Sequence, residues 1–312
     1  MKFSVVTPVY NREDCIGRCI ESVLKQEGDF EVEHLIGYDK STDGTLRVIE
    51  NYTGDDRLRL LVLPEHGGIN KARNSCIKKA TGDYVIILDS DDWFIDNALQ
   101  KIAQTIKSKS EYKYFMFAQN DRIPYYKQNP KLCQEYNELT YYDFLTKSVS
   151  GDFTHVINTP IIRDNPFDEE VNSYEGIYFL RFYKSCGKML FHNTLVVERE
   201  RNREDNATQS TIRRSDTVIK REIKANLQYF EWFSDDLLTC NAQAIIEKSA
   251  QRLLTDTLMV GDKEGRKKAI DILDNFNIPV SAMNVFLMNT STGSLYKHAL
   301  WQFNKLQATI KK

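Results

Sequence analysis

The sequence predicts an α/β fold, a mostly parallel sheet with helices on both faces, followed by a helical region. Two observations carry this. Apolar, β-favouring runs alternate with helical periodicity at βαβ spacing over about the first 110 residues. From residue 216 onward the spacing turns helical, and Pro279 is the only proline in the last third of the chain. The predicted organisation is one α/β domain over residues 1–215, divided at 118/119, and a helical C-terminal region over 216–312.

Each element has its own signal. Residues 3–9 read as a strand, and the polar residues from Asn11 open a helix whose apolar positions are Ile16, Ile20, Val23 and Leu24. Val32 to Tyr38 is a second strand, followed by a polar turn and a helix through Leu46, Ile49 and Tyr52. Leu58 to Leu63 is a third strand. After His66-Gly67-Gly68, Ile69 to Ala80 read as a helix that Gly82 stops. Tyr84 to Leu88 is a buried strand, a helix runs through Ala98, Leu99, Ile102 and Ile106, and Tyr114 to Ala118 is another strand. Between about Asn120 and Thr211 the pattern is irregular, with X-Pro turn signals, a helix over Tyr174 to Cys186 and a strand over Met189 to Val197. Helices are expected at Ile245 to Leu258, Ala269 to Phe276 and Leu295 to Ile310.

Composition narrows the function. A net charge of -2 gives no global basic field, so nucleic acid is not expected as a partner. No stretch approaches the ~20 apolar residues of a membrane span, and the first residues do not form a signal peptide. A cytoplasmic protein is expected. The six cysteines form no Cys-x-x-Cys pair and read as reduced, half-buried thiols.

The chemistry-bearing feature is Asp89-Ser90-Asp91-Asp92, directly after the strand at 84–88. A buried strand of such a sheet delivers the next residues to the carboxyl edge, where ligands bind. Three carboxylates in four residues suit a divalent cation, a hard ion that takes oxygen ligands. The alternative is an acidic turn capping a helix that starts near Trp93. Neither Gly-x-Gly-x-x-Gly nor Gly-x-x-x-x-Gly-Lys-Ser/Thr occurs, and no Ser sits in a Gly-x-Ser-x-Gly elbow. What remains is a row of strand ends: Thr7 to Asn11, Asp39, His66 to Arg73, and Asp89 to Asp92. Asp39 suits a base imide or a ribose hydroxyl, or is a turn residue. Arg73 suits a diphosphate, since a guanidinium forks onto phosphate oxygens, or is a surface arginine. Asp91 or Asp92 suits a cation bridging two phosphates.

Four ordered motifs, Thr7-Pro-Val-Tyr-Asn11, Tyr38-Asp-Lys-Ser-Thr-Asp-Gly-Thr45, Gly68-Ile-Asn-Lys-Ala-Arg-Asn74 and Gly82-Asp-Tyr-Val-Ile-Ile-Leu-Asp-Ser-Asp-Asp-Trp93, resemble those of family 2 glycosyltransferases. The resemblance implies an inverting enzyme of the GT-A fold, with a nucleotide-binding half over 1–118 and an acceptor half over 119–215. It implies a donor site of Thr7, Pro8, Tyr10, Asn11, Asp39, Arg73, Asp89, Asp91 and Asp92, with Thr7 and Asp39 at the base. Mn2+ or Mg2+ would sit on Asp91 or Asp92. The donor would be a nucleotide sugar, most often a UDP-sugar. The acceptor would be a saccharide or a lipid-linked molecule, in surface polysaccharide or glycolipid synthesis.

The sequence departs from the family pattern at Tyr38 and Lys40, where the family carries Asp and Gly, and at Gly176, where the family's general base, an Asp, is expected. Glu175 is the nearest replacement base, with Glu169 and Glu170 behind it; Glu175 also reads as a helix cap. Arg199 to Ser210 is charge-dense and reads either as a lid that brings Arg201 or Arg203 to the donor, or as a solvated loop. Tyr296 to Lys305 is aromatic and mildly basic. It suits peripheral contact with a membrane, packing on its own domain, or a homodimer contact. Two other readings of the chain stay open. One is a non-catalytic nucleotide-sugar binder, favoured by Gly176. The other is a sugar-phosphate nucleotidyltransferase, disfavoured by Val9-Tyr10-Asn11-Arg12-Glu13 where a glycine-rich loop belongs.

Overall fold

A computed structural model describes residues 1–169, 175–200, 215–290 and 292–300, with the side chain of Glu175 outside that description. The chain divides into two compact units, Met1–Arg201 and Asn202–Lys312.

In the first unit the order is β1 (Lys2–Val9), α1 (Ile16–Leu24), β2 (Glu31–Tyr38), α2 (Thr45–Glu50), β3 (Leu58–Val62), α3 (Ile69–Lys79), β4 (Tyr84–Ile87), β5 (Asp92–Phe94), α4 (Ala98–Ser108), β6 (Tyr114–Gln119), α5 (Ile123–Gln128), β7 (Tyr136–Thr140), α6 (Tyr141–Leu145), β8 (Thr154–Asn158), α7 (Thr159–Asp164), α8 (Glu175–Cys186) and β9 (Lys188–Arg199). Among the described residues one nine-stranded sheet runs β3-β2-β1-β4-β8-β6-β9-β5, with β7 added beside β9. β1 lies inside it, parallel to β2 and β4, and seven of its eight residues are buried. α1 lays Ile16, Cys19, Ile20 and Val23 into the core with Phe3, Val5, Ile36 and Ile86. On β2, Gly37 has no substitute: a Cβ there would stand 2.7 Å from the Ala72 carbonyl oxygen. That close approach seats α3 on the sheet.

The strand ends of the βαβ half therefore share one carboxyl edge. The sheet as a whole is mixed rather than mostly parallel, because β8 pairs antiparallel with both β4 and β6, and β5 and β7 pair antiparallel with β9. The chain leaves β6 at the carboxyl edge, adds β7 antiparallel to β9 and, after α6, enters β8 from that same carboxyl edge. The turn after β4 does not cap a helix at Trp93. Asp92–Phe94 is a short strand on β9, and α4 starts at Ala98.

The second unit contains α9 (Asp216–Thr239), α10 (Gln243–Val260), α11 (Lys263–Asn275) and α12 (Ala282–Thr290). Ile219, Ile223, Phe230, Phe233, Leu253, Leu254, Ala269 and Leu273 are buried in it. No helix of the described residues is long and apolar enough to cross a membrane.

Candidate functional site

The end of β2 delivers Asp39, almost fully buried. Its two carboxylate oxygens accept from the backbone N–H groups of Gly67 (2.7 Å) and Gly68 (2.8 Å), and His66 Nδ1 stands 2.9 Å away. Gly68 has φ 85°, a left-handed conformation that glycine adopts without strain, and it leads directly into α3. The His66 ring packs on Tyr10, centroids 4.3 Å apart, and Tyr10 is itself exposed at the rim. Asn11 Oδ1 accepts from the Thr42 N–H at 2.8 Å, and Ser41 Oγ accepts from the Asn11 N–H at 2.9 Å. These bonds tie the first loop to the turn after Asp39. Lys40 takes φ 56° in that turn, a conformation that the family's glycine would adopt freely. Pro8 is buried within β1.

The Thr7 side chain turns inward: it is fully buried, and its hydroxyl bonds His34 Nε2 at 2.9 Å. Burial pushes the His34 pKa down to about 3, so the pair is a neutral core contact.

The end of β4 delivers the acidic turn. Arg73, buried on α3, reaches Asp89 Oδ1 at 3.0 Å, and its guanidinium lies over the Phe167 ring at 5.6 Å. Asp91 is half-buried, and its carbonyl accepts from Arg18, whose guanidinium covers Trp93 at 3.7 Å. Asp92, a buried residue of β5, faces Arg199 Nε at 3.5 Å. Arg199 also bonds Asp152 (3.0 Å) and the Gln119 side chain (2.7 Å). Burial opposes the charge on Arg199, yet Asp92, Asp152 and Asp89 hold its pKa above the usual arginine value.

No group of three or more His, Cys, Asp or Glu side chains converges to hold an ion among the described residues. Asp89 and Asp91 fit a hard cation that takes one or two carboxylates and completes its shell with phosphate oxygens. At the start of α8, Gly176 is exposed, and a Cβ built there meets nothing within 4 Å. Glu169 accepts from Asn74 Nδ2 at 3.1 Å. The Glu175 side chain, Glu170, Arg201 and Arg203 lie outside the described residues.

The model of the family described as "Glycosyl transferase family 2" matches residues 4–164, half of the chain. This chain belongs to that family. Its relatives include the GalNAc(5)-diNAcBac-PP-undecaprenol beta-1,3-glucosyltransferase of Campylobacter jejuni, 28% identical over 59% of this chain and 60% of that protein. They also include the Poly(ribitol-phosphate) beta-N-acetylglucosaminyltransferase TarS of Staphylococcus aureus, 39% identical over 34% of this chain and 19% of that one. The chain thus spans about three-fifths of the first of these family 2 proteins. The crystal structure of S. aureus TarS 1-349 in complex with UDP-GlcNAc shares the fold, with TM-score 0.62 and 21% identity over 97% of this chain and 89% of that one. So does the mannosyltransferase PcManGT from Pyrobaculum calidifontis in complex with GDP-Man and Mn2+, with TM-score 0.56 and 16% identity over 98% and 84%.

The site also holds residues that the family motifs do not flag. His66 supports Asp39, and the glycine pair after it is its only local signal. Arg199 reads as part of a charged loop in the sequence but is the last residue of β9.

Proposed function

We propose that this family 2 chain is an inverting glycosyltransferase that moves a sugar from a nucleotide sugar, a UDP-sugar by preference, to an acceptor hydroxyl in polysaccharide or glycolipid synthesis. One observation carries the reading. Asp39, the Arg73–Asp89 pair and Asp91 lie at or just past the ends of β2 and β4, which flank β1 in parallel and so share a single sheet edge. The TarS complex with UDP-GlcNAc supports the donor class.

Asp39, held rigid by two backbone amides, keeps lone pairs for a base imide, and the exposed Tyr10 ring gives the base a flat neighbour. Arg73 positions Asp89 and puts positive charge beneath the diphosphate. Asp91, with Asp89 beside it, would hold Mn2+ or Mg2+. Such an ion supplies charge stabilisation to the departing diphosphate. The acceptor oxygen attacks the anomeric carbon from the face opposite the phosphate, and a single displacement inverts the centre. Glu175 is the carboxylate nearest the family's base position. For a lipid-linked acceptor, the chain would also bind anionic liposomes through residues 294–312.

Calorimetry with UDP and Mn2+, run beside UDP-sugar hydrolysis, tests the reading. Binding with slow hydrolysis is expected. Binding without any turnover favours a non-catalytic binder, release of pyrophosphate from a nucleoside triphosphate favours nucleotidyl transfer, and no binding of any nucleotide sugar overturns the proposal.

A further inference from the structure

Direct displacement by an alcohol or by water needs a proton acceptor, and the family's position for it holds Gly176. The geometry points to a different group: we propose that His155 on β8 is the general base, its Nε2 taking the proton of the attacking hydroxyl. This rests on the transferase reading above.

Position comes first. β8 pairs antiparallel with β4 in the register Val85↔Ile157 and Ile86↔Val156, and one further step puts His155 beside Ile87, two residues before Asp89. Ile86 and Val156 are buried in the core on one face of the sheet. On the other face Ile87, His155 and Phe179 all stay partly exposed, near the acidic turn that follows β4. Phe179 stacks on His155 with centroids 4.1 Å apart, and it lies on α8 one turn after Gly176. Phe179 also packs against Phe167, the ring that Arg73 covers on its way to Asp89. The imidazole thus lies between the start of α8 and the diphosphate end of the site.

The ring is oriented for the task. His155 Nδ1 is 3.0 Å from the Tyr114 hydroxyl, whose ring meets Tyr183 edge-on with centroids 5.4 Å apart. We take the tautomer in which the Tyr114 oxygen accepts from Nδ1–H, which puts the imidazole lone pair on Nε2. Nδ1 carries the ring's one hydrogen bond among the described residues. Enclosure by aromatic rings pushes the imidazole pKa down to about 3, against an opposing pull from Asp152. The ring is therefore neutral at physiological pH and free to accept a proton.

In the step, the acceptor oxygen forms its bond to the anomeric carbon while the bond from that carbon to the β-phosphate oxygen breaks. The electron pair leaves with the nucleoside diphosphate, and the acceptor's proton goes to Nε2, giving an imidazolium that Asp152 and Asp89 favour and Arg73 and Arg199 oppose. Tyr114 acts as a positioning residue.

The test uses the full chain with Mn2+ and a panel of UDP-glucose, UDP-GlcNAc and UDP-galactose, following donor hydrolysis. His155→Gln is expected to lower kcat by about 10²- to 10⁴-fold, the usual contribution of a positioned base, with UDP affinity within twofold of the parent. His155→Gly is expected to regain turnover when imidazole is added, which a purely structural histidine would not do. A folded His155→Gln variant with parental kcat overturns the assignment, as does loss of turnover in Glu175→Gln alone. If the parent chain binds no UDP-sugar, the transferase reading fails and His155 falls with it. Parental turnover beside an unaffected His155→Gln variant removes only the base.

Discussion

The site has two corners, and they hold their carboxylates by different means. At the β2 corner, Asp39 is held by the amides of Gly67 and Gly68 and by His66, all from the single loop before α3. At the β4 corner, Asp89 and Asp92 are held by guanidinium groups on other elements, Arg73 from α3 and Arg199 from the end of β9. Amides and the His66 ring fix the Asp39 carboxylate from one loop, and its side chain is only 3% exposed. A buried guanidinium neutralises its partner, so the fate of each carboxylate depends on exposure. Asp92 is buried against Arg199, while the Asp89 side chain stays 40% exposed and open to a ligand.

The largest effect that tests this contrast comes from Arg199→Met. It strands Asp92 in the sheet and is expected to cost about 3–5 kcal/mol in urea unfolding, the usual result of removing one partner of a buried pair. The double change with Asp92→Asn should recover part of the loss. A loss under 1 kcal/mol would mean that Asp92 is solvated and open to a metal.

Asp39→Asn comes next. An amide nitrogen cannot accept from Gly67 or Gly68, so one backbone N–H loses its partner at about 1–3 kcal/mol. UDP affinity should fall about tenfold, which corresponds to 1.4 kcal/mol, while UDP-independent Mn2+ binding stays unchanged. An equal loss of both would place Asp39 in the metal site and erase the distinction between the corners.

Thr7→Val separates a buried contact from a donor contact. Stability should drop by about 1 kcal/mol as His34 Nε2 loses its partner, with UDP affinity within twofold of the parent. A tenfold loss of UDP affinity would place Thr7 in the donor site.

The smallest effect is in pH dependence. The folded-state pKa of His34 is depressed to about 3 from the usual 6.5, so the unfolded chain binds the extra proton between those values and stability falls as pH falls through that window. Between pH 7 and pH 6 this one histidine contributes a loss of about 0.7 kcal/mol. The His34→Gln variant should lack that slope, and an unchanged slope would assign it to other groups.

Much of the βαβ half was legible because its signals are local. The run from Tyr84 to Leu88 and the glycines at 67, 68 and 82 mark strand, loop and stop within a few residues. The irregular half was harder to read. β8 runs antiparallel because of the direction from which the chain re-enters the sheet, and no residue within Thr154–Asn158 encodes that direction. The same reason hid Arg199. Its charge and its neighbours read as a solvated loop, and only its pairing with β5 sets it against Asp92.

The sequence by itself determined the family, the succession of strands and helices in the βαβ half, and the acidic turn at Asp89 to Asp92, because each depends on spacing along the chain. Tertiary structure decided which neighbours those groups have. Strand alternation buried Thr7 against His34, pairing with β9 set Asp92 against Arg199, and the β4–β8 register put His155 beside Ile87, two residues before Asp89. Burial and charge pairing are properties of neighbours in space, and these neighbours lie from 27 to 107 positions apart in the chain.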